Sequence, residues 1–180
     1  MEFFQKAKYV RIRSHHGKYL WANDDGASVS QSRDGGKQNA KWKVEIVEGK
    51  NLIRLKSCHD CYLTASSILF LLGTTGRKVL QTIPLKLDSS VEWEPIKEGY
   101  QAKLRASNGN YLRANGGIPP WRNSVTHDSS QRTATQNWTL WDVEITEIQM
   151  PSSLKELKEQ AAVKMQQQLD KDATMKMYQT

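Results

Sequence analysis

Apolar and polar residues alternate with a period of two along most of the chain, and the alternation comes in three matching blocks. Val10-Arg-Ile-Arg-Ser-His-His-Gly-Lys-Tyr-Leu-Trp-Ala22, Ile53-Arg-Leu-Lys-Ser-Cys-His-Asp-Cys-Tyr-Leu-Thr-Ala65 and Ala102-Lys-Leu-Arg-Ala-Ser-Asn-Gly-Asn-Tyr-Leu-Arg-Ala114 align without gaps, their starts 43 and then 49 residues apart. Each reads apolar-basic-apolar-basic, then a polar turn, then Tyr-Leu-x-Ala, which predicts a β-hairpin. Gly17 and Gly109, with Asp60 in the matching place, sit where such a turn requires a positive φ. A second landmark follows each block: Trp42, Trp93 and Trp141 trail Tyr19, Tyr62 and Tyr111 by 23, 31 and 30 residues. Repeats of this length hold about four strands, and one such unit cannot bury its apolar face alone. Three can, by closing about a pseudo-threefold axis, so the predicted fold is all-β, a β-trefoil over residues 1–148 with repeats at about 5–48, 50–97 and 100–148.

The pattern changes at Pro151. Ser153-Leu-Lys-Glu156 is a capping-box sequence, and the Lys-, Glu-, Gln- and Met-rich run after it predicts a helix within the tail, residues 149–180. Leu157, Ala161, Met165 and Leu169 form only a thin apolar stripe. A solvated or fraying tail, a helix docked on the trefoil, and a self-association device all remain open, with a monomer expected and a dimer through the tail as the alternative.

Composition adds a charge. The 180 residues carry 26 Lys and Arg against 19 Asp and Glu, a net +7, which favours anionic partners without naming one. The longest uncharged stretch, Tyr62 to Gly76, is interrupted by Ser, Thr and Gly, so no membrane partner is expected. The N-terminal residues lack the apolar core of an export signal, and a cytoplasmic address is expected. Two cysteines are too few for a secreted disulfide scaffold, and the sequon at Asn137 is then expected to stay unmodified.

Three stretches carry a resemblance: residues 1–20, Leu71-Leu-Gly-Thr-Thr-Gly-Arg-Lys-Val-Leu-Gln-Thr82, and Gly116-Gly-Ile-Pro-Pro-Trp-Arg-Asn-Ser-Val-Thr-His-Asp128. Over residues 1–148 the chain resembles the plant domain-of-unknown-function family of fascin-like, actin-cross-linking trefoil proteins. The resemblance implies a β-trefoil and, by analogy to fascin, F-actin as partner. The chain departs from the family pattern at Ile68 and Leu69, which extend an apolar run through Leu72 and read either as a buried strand or as an exposed, sticky edge.

Candidate partner-binding residues fall in two groups. Arg11 and Arg13, Arg54 and Lys56, and Lys103 and Arg105 occupy outward positions of the first strand of each repeat, suited either to an acidic protein surface or to a solvated face. Symmetry spreads these pairs around the axis, so they do not make one patch. Trp121 and Arg122 lie in a Pro-rich loop with the chemistry of an interface anchor, the alternative being an indole that plugs the barrel. Trp21 stands where the other repeats carry Thr64 and Arg113, a position that tolerates polar residues.

Other motifs point elsewhere and fall short. Cys58-His-Asp-Cys61 supplies two zinc ligands with no second pair, and it aligns with a hairpin turn across which the two thiols can pair under oxidation. Ser124, His127 and Asp128 are too close in sequence for a triad, so no catalytic residue, metal or cofactor is expected. Gln136-Asn-Trp138 is a single copy of the Q-x-W spacing of ricin-type sugar-binding trefoils. No basic run or aromatic RNA-binding strand appears, and no nucleic acid is expected. The expected function is a non-enzymatic module that binds protein, with F-actin as candidate and binding along the filament without bundling; a carbohydrate-binding trefoil is the alternative.

Overall fold

Each sequence block folds into the hairpin its alternation predicts, and the computed structural model describes residues 1–129 and 131–177. The first repeat holds β1 (Ala7–Ser14), β2 (Tyr19–Ala22), β3 (Val29–Ser32) and β4 (Trp42–Val47). The second holds β5 (Leu52–Lys56), β6 (Tyr62–Leu69), β7 (Arg77–Thr82) and β8 (Trp93–Glu98), and the third β9 (Gln101–Ala106), β10 (Tyr111–Ala114), β11 (Val125–Asp128) and β12 (Trp141–Ile148). Gly17, Asp60 and Gly109 all have positive φ at the same place in their turns, 69°, 60° and 85°. The turn geometry therefore holds even where the residue is not glycine.

Antiparallel pairing closes a six-stranded barrel: β1 meets β4, β4 meets β5, β5 meets β8, β8 meets β9, β9 meets β12 and β12 returns to β1. The register repeats with the sequence, since Val10 faces Trp42, Ile53 faces Trp93 and Ala102 faces Trp141. Closure leaves no free edge among these strands. The three hairpins β2–β3, β6–β7 and β10–β11 cap one end of the barrel. They touch in a cycle, through the bridges Ser28 to Leu80 and Ser30 to Ser124 and the pairing of Thr126 with Lys78.

The recurring tryptophans explain the second landmark. Trp42, Trp93 and Trp141 are fully buried, and their indole Nε1 atoms donate to the carbonyls of Leu20, Leu63 and Leu112 at 3.1, 3.0 and 3.1 Å. Each thus joins the last strand of a repeat to the hairpin of the same repeat while satisfying its own donor. Ile12, Leu55 and Leu104 fill the barrel between them, and Phe4 joins the same core.

A polar ring holds the cap. Gln31 donates through Nε2 to the carbonyls of Asn115 and Ser124 in the third repeat, and Gln81 donates in the same way to Asn23 and Ser28 in the first. His127 takes the equivalent place in the third repeat, with Nε2 2.7 Å from the Ser66 carbonyl and Nδ1 3.2 Å from the Asn110 amide nitrogen. A carbonyl can only accept, so Nε2 carries the hydrogen and Nδ1 accepts: His127 is a neutral imidazole standing in for a glutamine. Burial is the main cause that pushes its pKa below the ordinary 6.5. Close approach also dictates Gly76, where a Cβ would lie 2.3 Å from the His127 carbonyl oxygen.

Residues 1–148 form one compact unit and the tail a second. The predicted helix is α1 (Ser152–Met177), and all its residues are exposed. Among the described residues no helix is long and apolar enough to cross a membrane.

Candidate functional site

The basic first strands are engaged at home. Arg54 pairs with Glu92 at 2.7 Å, Arg105 with Glu94 at 2.5 Å, Lys103 with Glu98 at 2.8 Å, Lys56 with Asp60 at 3.9 Å, and Arg13 with Asp142 and Glu144 at 3.4 and 3.8 Å. Most of these carboxylates sit on the last strand of a repeat, directly across the barrel sheet. Arg11 is half-buried opposite Glu144, its Nε without a hydrogen bond. The alternation that places these six cations outward also places acids beside five of them, which leaves little field for a partner.

Cations without a carboxylate partner gather elsewhere, in the seam between the first and third repeats. Lys18 follows the first hairpin turn, where the other repeats have Cys61 and Asn110, and its Nζ donates to Asn123 Oδ1 at 2.6 Å. Burial first, then the neighbouring Arg33 and Arg122, lower the pKa of the Lys18 ammonium. Arg33 and Arg122 are exposed, and among the described residues neither they nor Lys18 make an ion pair. Three cations without a described ion-pair partner thus share this seam and give it a positive local field.

The Pro-rich loop forms one wall of this seam. Trp121 is half-buried, its amide donating to the Ile118 carbonyl at 3.0 Å and its own carbonyl accepting from Ser124 N and Oγ at 2.9 and 2.7 Å. Arg122 Nε donates to the Gly117 carbonyl at 3.0 Å, and Asn123 turns the chain with φ 68°, so that its carbonyl accepts from Gln31 N at 2.9 Å. The loop backbone is thus tied into the cap, and the half-buried Trp121 is not among the residues of the hydrophobic core. Trp21, half-buried on β2, pairs with Ser30.

Deeper in the same seam lies a buried guanidinium. Arg113 is 3% exposed, with Nε donating to Asn115 Oδ1 at 2.9 Å, Nη2 to Thr135 Oγ1 at 2.7 Å, and its carbon 4.9 Å from the Trp138 ring centroid. The edge of His16 meets the same indole at 5.0 Å, and its Nε2 lies 3.1 Å from the Ala114 carbonyl. Burial lowers the pKa of His16, and Lys18 and Arg113 add to the effect, so the imidazole stays neutral where the charges around it are positive. Sequence reasoning missed Lys18, Arg33, Arg113 and His16. For Lys18, His16 and Arg113 the signal was departure from the repeat, since each differs from its counterpart in at least one other block, whereas Arg33 lies outside the aligned blocks.

The remaining motifs separate in space. Ser124 Oγ bonds Trp121, His127 bonds Ser66, and Asp128 pairs with Arg132 at 2.7 Å, so hydroxyl, imidazole and carboxylate serve different partners. Cys58 is exposed and Cys61 buried, and burial raises the pKa of both thiols, away from thiolate chemistry. Among the described residues no group of three His, Cys, Asp or Glu side chains converges as a metal ion would need. Gln136 and Trp138 lie in the 3-10 segment Thr133–Thr139 beside Arg113.

A family model described as a beta-trefoil domain of unknown function, DUF569, matches residues 1–141. Among solved structures, the chain is similar to the designed threefold-symmetric protein ThreeFoil, with a TM-score of 0.63 at 20% identity over 76% of this chain and 98% of that one. It is also similar to a Polyporus squamosus lectin bound to a human-type influenza-binding epitope, with a TM-score of 0.61 at 16% identity over 78% of this chain and 49% of the lectin. A salivary protein from Culex quiquefasciatus of the cysteine and tryptophan-rich family gives 0.60 at 21% identity, over 77% of this chain and 93% of that one. At these identities the likeness is one of fold. No curated protein matches the chain.

Proposed function

We propose that this chain, which belongs to the DUF569 family of β-trefoil domains of unknown function, is a non-enzymatic binding module whose first-to-third-repeat seam receives an acidic protein surface. One observation carries this reading: Lys18, Arg33 and Arg122 share a seam without a carboxylate partner among the described residues, beside a half-buried Trp121, while the symmetric first-strand cations are paired off. A half-buried aromatic side chain beside one partly desolvated and two exposed cations has the chemistry of an interface centre. F-actin is the partner to test, because the sequence resembles fascin-like trefoils and the actin filament is acidic. A cytosolic setting follows from that partner. One seam per monomer gives binding along a filament without bundling, since cross-linking needs two sites per particle.

Co-sedimentation of the full chain with F-actin at low and physiological salt tests this. Saturable pelleting at physiological salt, reduced at least about tenfold in the double variant Lys18→Glu/Arg122→Glu, is the expected result. Absence of pelleting, or pelleting unchanged by that variant, removes the actin reading. A carbohydrate-binding role is the second reading, favoured by the lectin among the structural neighbours and by the position of Trp121, whose ring face suits a sugar. The cations then select acidic glycans. A glycan array that is featureless, or whose signals survive Trp121→Ala, removes it.

A further inference from the structure

The hairpin tips of the cap do not obey the threefold symmetry. Between the equivalent pairs Ala22–Val29, Ala114–Val125 and Ala65–Val79 the chain inserts residues 23–28, 115–124 and 66–78, so the second repeat has the longest tip. β6 runs on to Leu69, which pairs with Arg77, and the tip lies beyond. Here the apolar run that reads either as a buried strand or as an exposed edge is exposed: Ile68 by 51%, Leu69 by 54% and Leu72 by 97%.

Backbone conformation sharpens the point. Leu71 and Leu72 both adopt left-handed φ, 45° and 60°, a region unfavourable for a bulky side chain. No packing in the core accounts for this, since both are exposed. The Phe70–Gly73 turn, closed by Gly73 N donating to the Phe70 carbonyl at 2.8 Å, requires this conformation at both central positions, and it holds two aliphatic side chains out at the surface where Asn or Gly would meet the turn at lower cost.

Charge says which surface the tip meets. No Asp or Glu stands between Asp60 and Asp88. Arg77 and Lys78, at the base of the tip, are exposed and make no ion pair among the described residues. The neighbouring carboxylate, Asp128, is already neutralised by Arg132, which also donates to the Thr74 carbonyl and so braces the loop. Five consecutive apolar residues, 68–72, offer no hydrogen-bonding side chain to a partner of defined shape. A projecting aliphatic tip over a cationic base suits a fluid apolar phase beneath an anionic surface.

We propose that the β6–β7 hairpin is a peripheral anchor for anionic phospholipid bilayers, with Leu71 and Leu72 entering the headgroup and acyl boundary while Arg77 and Lys78 meet lipid phosphates. This reverses the expectation of no membrane partner, which rested on spanning segments; a surface anchor needs none. It is independent of the seam and of any actin binding.

The test is sedimentation of the full chain with vesicles of phosphatidylcholine alone or mixed with phosphatidylserine. Binding is expected to the mixed vesicles and not to the neutral ones. Leu72→Asp is expected to weaken it at least about tenfold, and Arg77→Gln/Lys78→Gln about thirtyfold, at about 1 kcal/mol per cation. Unchanged near-ultraviolet circular dichroism certifies that the variants fold, and the milder Leu72→Ser provides a second probe of insertion. Lys50→Gln, which removes an exposed cation from the turn between β4 and β5 away from the cap, is expected to leave binding within about twofold. Failure to bind mixed vesicles, equal binding to neutral ones, full binding by Leu72→Asp, or an equal loss in Lys50→Gln would each overturn the anchor. Capture of a protein partner through the tip by a chain that ignores both vesicle types would replace it.

Discussion

The tryptophan framework and the hairpin tips are built from the same three repeats and have diverged to opposite degrees. In the framework, Trp42, Trp93 and Trp141 share burial, register and hydrogen-bond acceptor, because a closed barrel leaves one shape for each side chain to fill. At the tips the same symmetry positions hold Asp24 and Asp25 in one repeat, four exposed aliphatic residues in the next, and a Trp-Arg pair in the third. Solvent imposes no common shape there, so the tips are free to specialise. Departure from the repeat is therefore greatest at the surface, where the seam and the leucine tip lie.

The framework should fail hardest when broken. Trp93→Ala removes a fully buried indole and its bond to the Leu63 carbonyl, and a loss of about 3–5 kcal/mol is expected in urea unfolding. A loss under about 1 kcal/mol would mean that the three tryptophans are not equivalent supports. Next comes the polar ring. Gln81→Leu strips the Ser57 hydroxyl of its acceptor and the Asn23 and Ser28 carbonyls of a donor, for an expected loss of about 2–3 kcal/mol.

His127 belongs to both sides of the comparison, being a framework position that has left the repeat. Its pKa is lowered in the folded chain by burial, so below the ordinary 6.5 the unfolded chain binds more protons than the folded one. Stability is thus fully present above that value and lost as pH falls from it toward the depressed folded pKa, and the likewise lowered pKa of His16 acts in the same direction. His127→Gln restores the residue type of the other repeats. Urea unfolding of this variant between pH 7 and 5 is expected to show a shallower acid loss than the parent chain, about 1 kcal/mol smaller. Identical slopes would show that His127 does not set the acid limit.

The smallest effect lies at the tip. Leu72→Asn places a residue tolerant of left-handed backbone at φ 60° and is expected to stabilise the fold by about 0.5 kcal/mol, read as a rise in melting temperature. A destabilised variant would show that the leucine packs on something its exposure conceals.

Much of the fold was legible in sequence because hairpins are local. Alternation, a turn residue with positive φ and a recurring Trp specify each strand pair without reference to the rest of the chain, and the run free of Gly and Pro did the same for α1, which starts at Ser152 with the predicted cap Ser153 already inside it. The candidate site was half legible. Trp121 and Arg122 stood out as an aromatic-cation pair on a loop, whereas Lys18 and Arg33 looked like two of many surface cations.

What the sequence by itself determined was the unit: three hairpin-bearing repeats, the residues that face inward, and the helix that follows. Only the tertiary structure decided which charges are spent and which are free. Arg54 and Glu92 are 38 residues apart and Arg13 and Asp142 129 apart, yet closure of the barrel brings each pair into contact, while it carries Lys18 to Asn123, where it forms no ion pair among the described residues. Side-chain direction is a local property of the strand. The neighbour that direction meets depends on how distant strands close, and this the local pattern does not encode.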